Sequence, residues 1–452
     1  MIDTRLTRRR VVTAGLAALA MPAIVTSARA GLPLDAGKDF GLDLLDNISD
    51  QGPRLQAAID AAVAEGRMLM LPAGGFNISK LELKSGLHMV GVPSNSLLTT
   101  PGDSRLAYIG QAHGIIIEAV IFQANAPETA AGVNGLIEIE ASYGITFRRC
   151  EFYNSAGNGI SAIESALTIE DCDFDGAQAA AIHSQNGQGL TIRGNRIANG
   201  RNAGIRIWRD EPGDDGSIIT GNRIEKIDWA DGGNGQNGNG ISIYKADGVI
   251  VSDNHIGSCA FSAIRVNAGK NTQIRGNTCL ESGEVAIFSE FEFSGSSIAD
   301  NIIDGAATGI SITNLDSGGH LATCTGNIIR NIAPKSVTNP DTRPVGIYAE
   351  ADTVVANNAI DQVPGFGIVA GYGPYLRNVI VSDNVLTNVQ TGIGVSVVQE
   401  KAPGPVRVSG NIIGAGASAA VVGLEWEKVA SDDLARDAGR YPNVTVTDNT
   451  RG

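Results

Sequence analysis

An asparagine that returns on a fixed beat constrains this chain more than any other feature. The phrase apolar-x-x-(Gly/Asp/Asn)-Asn is centred on Asn195, Asn222, Asn254, Asn277, Asn301, Asn327, Asn358, Asn384, Asn411 and Asn449, at intervals of 23 to 32 residues as far as Asn411. Continued backwards, the same position is held by Cys172 and Cys150. A second phrase opening on Gly-Ile or Ala-Ile falls between these positions, as at Gly159-Ile160, Ala181-Ile182, Gly204-Ile205, Gly240-Ile241, Ala263-Ile264, Gly309-Ile310 and Gly392-Ile393. A unit this long, with short β-branched runs and no helical period, is one three-strand coil of a parallel β-helix. The expected fold is therefore all-β: a right-handed, single-stranded solenoid. Asn is expected at a sharp turn in left-handed geometry, its amide linked to those of neighbouring coils in a ladder.

Composition agrees. Of 452 residues, 57 are Gly and only 5% are aromatic, so the apolar mass is Ile, Val, Leu and Ala between tight turns. Pro53 to Glu65 places Leu55, Ala58, Ile59, Ala62 and Val63 on one helical stripe, and Gly66 can end the helix. Such a helix would cover the open edge of the first coil. This gives a cap over 31–85 and a β-helix over 86–452.

Residues 1–30 read as an export signal. Arg5, Arg8, Arg9 and Arg10 precede an apolar run, and Ala28-Arg29-Ala30 offers a cleavage site. Thr7-Arg8-Arg9-Arg10-Val11-Val12 resembles the twin-arginine signal, which implies the Tat export machinery as a partner and a periplasmic or secreted destination. The net charge is −14, and removing 1–30 takes away five Arg and one Asp to leave −18. That balance argues against a general nucleic-acid binder, and no run of 18 apolar residues suggests a membrane span. The Cys count of five is odd, and Cys259, Cys279 and Cys324 lie among apolar neighbours. Stacked Cys150 and Cys172 would point the same way, which disfavours a bond between them.

Leu55-Gln56-Ala57-Ala58-Ile59-Asp60-Ala61-Ala62 followed by Leu71-Pro72-Ala73-Gly74-Gly75-Phe76 resembles the opening of pectate-lyase-like β-helix proteins. With the twin-arginine signal, the whole chain looks like a Tat-exported bacterial β-helix repeat family of uncharacterised function. The resemblance implies the fold but carries no catalytic residue across. The polygalacturonase set of Asn-Thr-Asp, Asp-Asp and Gly-His-Gly, the Asp-Pro-His of alginate epimerases and the pectate-lyase Asp-His signature are all missing.

Candidate sites follow from strand parity. In each Gly-Ile-x-Ile strand the Ile points inward, so the next residue and the one two further point out. This brings His183 and Gln185, Arg206 and Trp208, Ser242 and Tyr244, Arg265 and Asn267, Phe288 and Glu290, then Tyr348 and Glu350 onto one face. Aromatic rings with Arg and amides between them suit a polysaccharide. His183, Arg206, Arg209, Lys245 and Arg265 form an expected cationic patch for an acidic glycan.

Two chemistries and one non-enzymatic reading are candidates there. In lyase or epimerase chemistry, Arg206 and Arg265 would neutralise a uronate, His183 or Lys245 would act as base and Tyr244 as acid. In inverting hydrolysis, Glu290 and Glu292 would work as a pair two residues apart on one strand. In the third reading the face binds a glycan or scaffolds the envelope without turnover. The acidic turn Asp210, Glu211, Asp214 and Asp215 is a candidate Ca²⁺ site; no other cofactor is evident, and the expected state is a monomer. The insertions Asp228 to Asn239 and Pro334 to Arg343 are expected to wall the groove.

Overall fold

The structure is a computed structural model that describes residues 31–46, 48–100, 105–125, 134–233, 235–313, 319–401 and 403–452. The expected export signal lies outside the described residues. The chain winds into a right-handed parallel β-solenoid of about 13 turns with 7% helix.

One coil illustrates the rest. Thr191–Arg193 forms a strand, a sharp turn at Asn195 leads into Arg196–Ala198, and a further turn leads into Ala203–Asp214. Stacked coils thus make three walls. The first is a 16-stranded parallel sheet running from Leu34–Asp35 to Val444–Thr447, and the other 28 strands make the second and third. Late strands such as Ala359–Ala370 run round the corner from second wall to third, with the register shifting between Val363 and Phe366.

The core is a stack of like residues. Ile160, Ile182, Ile205, Ile241, Ile264, Ile287, Ile310, Ile347, Ile368 and Ile393 are in register and wholly buried. Each contributes about 1.5–3 kcal/mol by leaving water. Phe122, Phe152 and Phe174 add a stacked column, with ring centroids 5.3 and 4.5 Å apart.

The asparagine ladder is continuous. Asn301 donates from its backbone N–H and from Nδ2 to Asn327 Oδ1, both at 3.0 Å, and its own Oδ1 receives the same pair from Asn277. Its Nδ2 also reaches Ile274 O at 3.1 Å. The pattern runs from Asn195 to Asn449. The left-handed residue, however, is the one before each ladder Asn: Gly194, Gly221, Asp253, Gly276, Asp300, Gly326, Asn357, Asp383, Gly410 and Asp448 all have positive φ. The restriction to Gly, Asp and Asn just before the ladder position is therefore steric, since these residues tolerate that geometry best. Cys172 extends the ladder by donating its N–H to Asn195 Oδ1 at 2.9 Å, and Cys150 N–H lies 3.4 Å from Cys172 Sγ. All five thiols are free and buried. Burial raises that of Cys172 and pushes Cys259 up to about 12.

The expected helix spans Gly52–Glu65, buries Leu55, Ala58, Ile59 and Ala62, and ends at Gly66 with φ 62°. Val63 is only half-buried. At the far end Val421–Glu425 and Lys428–Ser431 form an antiparallel hairpin that the repeat did not foreshadow. Among the described residues, no helix is long and apolar enough to cross a membrane.

Candidate functional site

The third wall carries two outward rows, as strand parity predicts. His183, Arg206, Ser242, Arg265, Phe288, Ser311 and Tyr348 are successive rungs of one; Gln185, Trp208, Tyr244, Asn267, Glu290 and Thr313 are rungs of the other. Glu350 follows just past its strand and is held by its N–H to Ile312 O at 3.0 Å. Rungs stand about 4.8 Å apart, so a side chain can work with those one coil away.

At the early coils the rows form a cluster. Arg206 lies 4.8 Å over the Trp208 ring and donates from Nη2 to Asn237 Oδ1 at 2.6 Å. It forms no ion pair among the described residues, and burial, partly offset by the charge of Asp231, pushes its guanidinium down to about 10. His183 meets Trp208 edge-on, with centroids 5.7 Å apart. Burial, then the Arg206 charge, pushes His183 down to about 4, so its ring is neutral at ordinary pH. Among the described residues, buried His183 Nδ1, Arg206 Nε and Arg209 Nε have no hydrogen-bond partner. Arg209 otherwise donates to Gly187 O at 3.1 Å. Trp208 is pinned by its Nε1–H to Ser242 Oγ at 3.0 Å, and Tyr244, 37% exposed, lies 6.2 Å from it. A cavity of about 360 Å³ opens beside Trp208, Tyr244, Arg265, Asn267 and Glu290. The Asp228 to Asn239 insertion walls this end, with Trp229 on Phe261 and Asn237 on Arg206.

Several expected roles do not fit this geometry. Arg265 is not a free cation: it is held by Glu290 at 2.7 and 3.0 Å and approaches Glu284 Oε2 at 3.4 Å. Asn267 Nδ2 also donates to Glu290, at 3.0 Å. Glu290 and Glu292 do not share a strand face, because the strand Val285–Glu290 ends there and Phe291 turns left-handed at φ 57°. Glu290 is buried in its ion pair while Glu292 is exposed beyond the turn, which removes the paired-carboxylate geometry. Lys245 is left-handed too, and its Nζ donates to Asp210 O at 2.8 Å, 5.2 Å from the Tyr244 ring.

The acidic turn disperses rather than converging. Asp210 accepts from Gln185 Nε2 at 2.8 Å and Asn186 Nδ2 at 2.7 Å. Asp215 is buried against the N–H and hydroxyl of Ser217, and burial raises it. Glu211 and Asp214 face solvent. Among the described residues no three His, Cys, Asp or Glu side chains are grouped to hold a metal, so these four do not fit a Ca²⁺ cage.

Sequence reasoning missed Asn237 and Glu284, which lie in turns where strand parity says nothing. It also missed a second, larger groove at the late coils. There Phe288, Tyr348 and Phe366 line a cavity of about 880 Å³. Burial raises the Tyr348 phenol, as does buried Glu350 beside it.

Residues 134–228 match the family described as right-handed β-helix region. The sequence is 30% identical over 160 residues, 30% of this chain, to the mannuronan C5-epimerases AlgE2 and AlgE3 of Azotobacter vinelandii. The match covers 16% and 9% of those proteins, so the chain spans less than a fifth of the curated relatives' length. Among solved structures, the catalytic unit of the α-1,3-glucanase from Streptomyces thermodiastaticus strain HF3-3 superposes with a TM-score of 0.57 at 15% identity, over 88% of this chain and 70% of that one. The surface adhesin PfbA of Streptococcus pneumoniae gives 0.52 at 16% identity, over 80% and 93%. At such identities the likeness establishes the fold. The chain is a right-handed parallel β-helix.

Proposed function

We propose that this chain is an exported protein whose third wall binds a polysaccharide laid along the coil axis, with an acidic sugar docked at the early coils. The observation that carries this reading is Arg206, a partly buried cation without an ion-pair partner among the described residues, beside the aromatic pair Trp208 and Tyr244. A sugar's C–H face can stack on those rings while its carboxylate meets the guanidinium. The partial likeness to mannuronan epimerases supports an acidic polymer, and residues 1–30 support export through the twin-arginine pathway. Purified protein should bind alginate or polygalacturonate oligomers, and Arg206→Ala should weaken that at least tenfold. If no acidic polysaccharide binds, the reading is lost.

A second reading makes the same cluster catalytic, of lyase or epimerase type. It is favoured by His183, which is neutral at working pH and stands on the rung next to Arg206. Arg206 would neutralise the uronate carboxylate so that the C5 proton becomes acidic, and neutral His183 would accept that proton. The Tyr244 hydroxyl would then protonate the leaving oxygen in elimination or the opposite face of C5 in epimerisation. Following unsaturated-uronate absorbance, new reducing ends and C5 inversion by NMR on one reaction separates the outcomes. Absorbance identifies a lyase and inversion an epimerase; silence on all three leaves a glycan-binding protein.

A further inference from the structure

The late groove differs from the early cluster in its walls and its charge. The turn running from Pro334 to Arg343 forms one bank and the antiparallel hairpin Val421–Ser431 the other, and an Arg343–Glu427 ion pair joins the banks. At about 880 Å³ the space is within the range of small-ligand sites. Its floor is a small apolar cluster outside the main core, built on Val345, Val369, Val422 and Leu424 with Tyr348 and Phe366 against it.

The hairpin tip holds an aromatic ring at a conformational cost. Trp426 has φ 55°, left-handed geometry that is unfavourable for a bulky side chain, and yet it is 45% exposed. Its ring crosses that of Tyr372 with centroids 5.2 Å apart. It also lies on Gly373, itself at φ 50°, where an added Cβ would come within 2.4 Å of the indole. Simple burial would require none of these features.

The charges select among sugars. Glu284 and Glu350 are buried in the lining, and Asp341 adds a third carboxylate. Glu284 accepts from Asn339 Nδ2 at 2.8 Å and stays protonated to higher pH than usual because of burial. The one cation among the described lining residues is Arg343, which is committed to Glu427. Such a lining accepts hydrogen bonds from sugar hydroxyls and repels a uronate. Arg265, fixed between Glu290 and Glu284, stands between this groove and the early cluster.

We propose that the late groove is a separate subsite for an uncharged sugar residue, with Trp426 and Tyr372 as its stacking wall. The inference rests on reading the third wall as a glycan face, but it concerns different residues and a different ligand class. The test is titration of the full chain with cello-, laminari-, malto-, manno- and xylohexaose, followed by tryptophan fluorescence and calorimetry, with hexamannuronate in parallel. At least one uncharged hexaose should bind, and Trp426→Ala should weaken it tenfold or more while leaving hexamannuronate affinity unchanged. Gly373→Ala, which displaces the indole, should weaken the same ligand, with a thermal melt confirming that each variant folds. Failure of every uncharged oligomer to bind, or unchanged affinity in both variants, overturns the proposal. Binding of the uncharged sugar without hexamannuronate would instead overturn the Arg206 reading and leave this one standing.

Discussion

Arg265 grips Glu290 with two parallel hydrogen bonds, Nε to Oε1 at 2.7 Å and Nη2 to Oε2 at 3.0 Å, while its plane covers Phe288 on the next rung at 4.8 Å. The side chains are 12% and 5% exposed. A candidate substrate cation and a candidate catalytic acid thus cancel each other, and the cationic part of the face contracts to the Arg206 cluster.

Removing one member of this pair strands a buried charge. Arg265→Ala should lower unfolding free energy by about 3–5 kcal/mol in urea melts. The double change Arg265→Met with Glu290→Met should recover part of that loss, because the Glu290 charge leaves with that of Arg265 while buried Glu284 keeps only its hydrogen bond from Asn339. Equal losses in the single and double variants would mean that packing over Phe288, and not charge, sets the cost.

The ladder makes a positional prediction. Asn301 is wholly buried and its amide makes four side-chain hydrogen bonds, so Asn301→Ala leaves several buried groups unsatisfied. At about 1–3 kcal/mol for each orphaned group, the loss should reach about 3 kcal/mol or more. Asn449 is partly exposed at the last rung, where water can replace the lost partners. Asn449→Ala should therefore cost about 1 kcal/mol. Chemical denaturation of both variants checks the ordering.

The sequence made the coil legible because like residues must stack on like: the spacing of Asn195, Asn222 and Asn254 is the coil itself. Parity alone places Gln185, Trp208, Tyr244 and Asn267 in one row. It failed where a strand stops without a usual signal. Phe291 and Trp426 adopt left-handed geometry although neither is Gly, Asn or Asp, so Glu292 was assigned to a strand it does not reach. Glu284 and Asn237 come from turns, whose side-chain directions no period encodes, and their partners Arg265 and Arg206 were therefore read as equally free.

His183 gives stability a pH dependence of definite sign. Its folded value is pushed down to about 4 from 6.5. Between those values the unfolded chain binds a proton that the folded chain does not, so stability falls as pH drops through that window. The contribution lost by about pH 4 is on the order of 3 kcal/mol. Urea melts of wild type and His183→Gln across this range should show the stability advantage of the wild type shrinking with acid. A constant gap would show that His183 titrates as an ordinary exposed histidine.

Tyr244→Phe separates binding from turnover. The ring stays 6.2 Å from Trp208, so a stacked sugar keeps its platform, while the hydroxyl assigned as acid is gone. For hexamannuronate, affinity should change less than threefold and any lyase or epimerase rate should fall by about 100-fold or more, the usual scale of acid–base assistance. Trp208→Ala should do the reverse first: it removes the central ring and the cation–π support of Arg206, weakening binding by about tenfold, or about 1.4 kcal/mol. A Tyr244→Phe rate equal to wild type would remove the hydroxyl from the mechanism. A matching loss of affinity and rate would make Tyr244 a binding residue, and the face would then act through recognition alone.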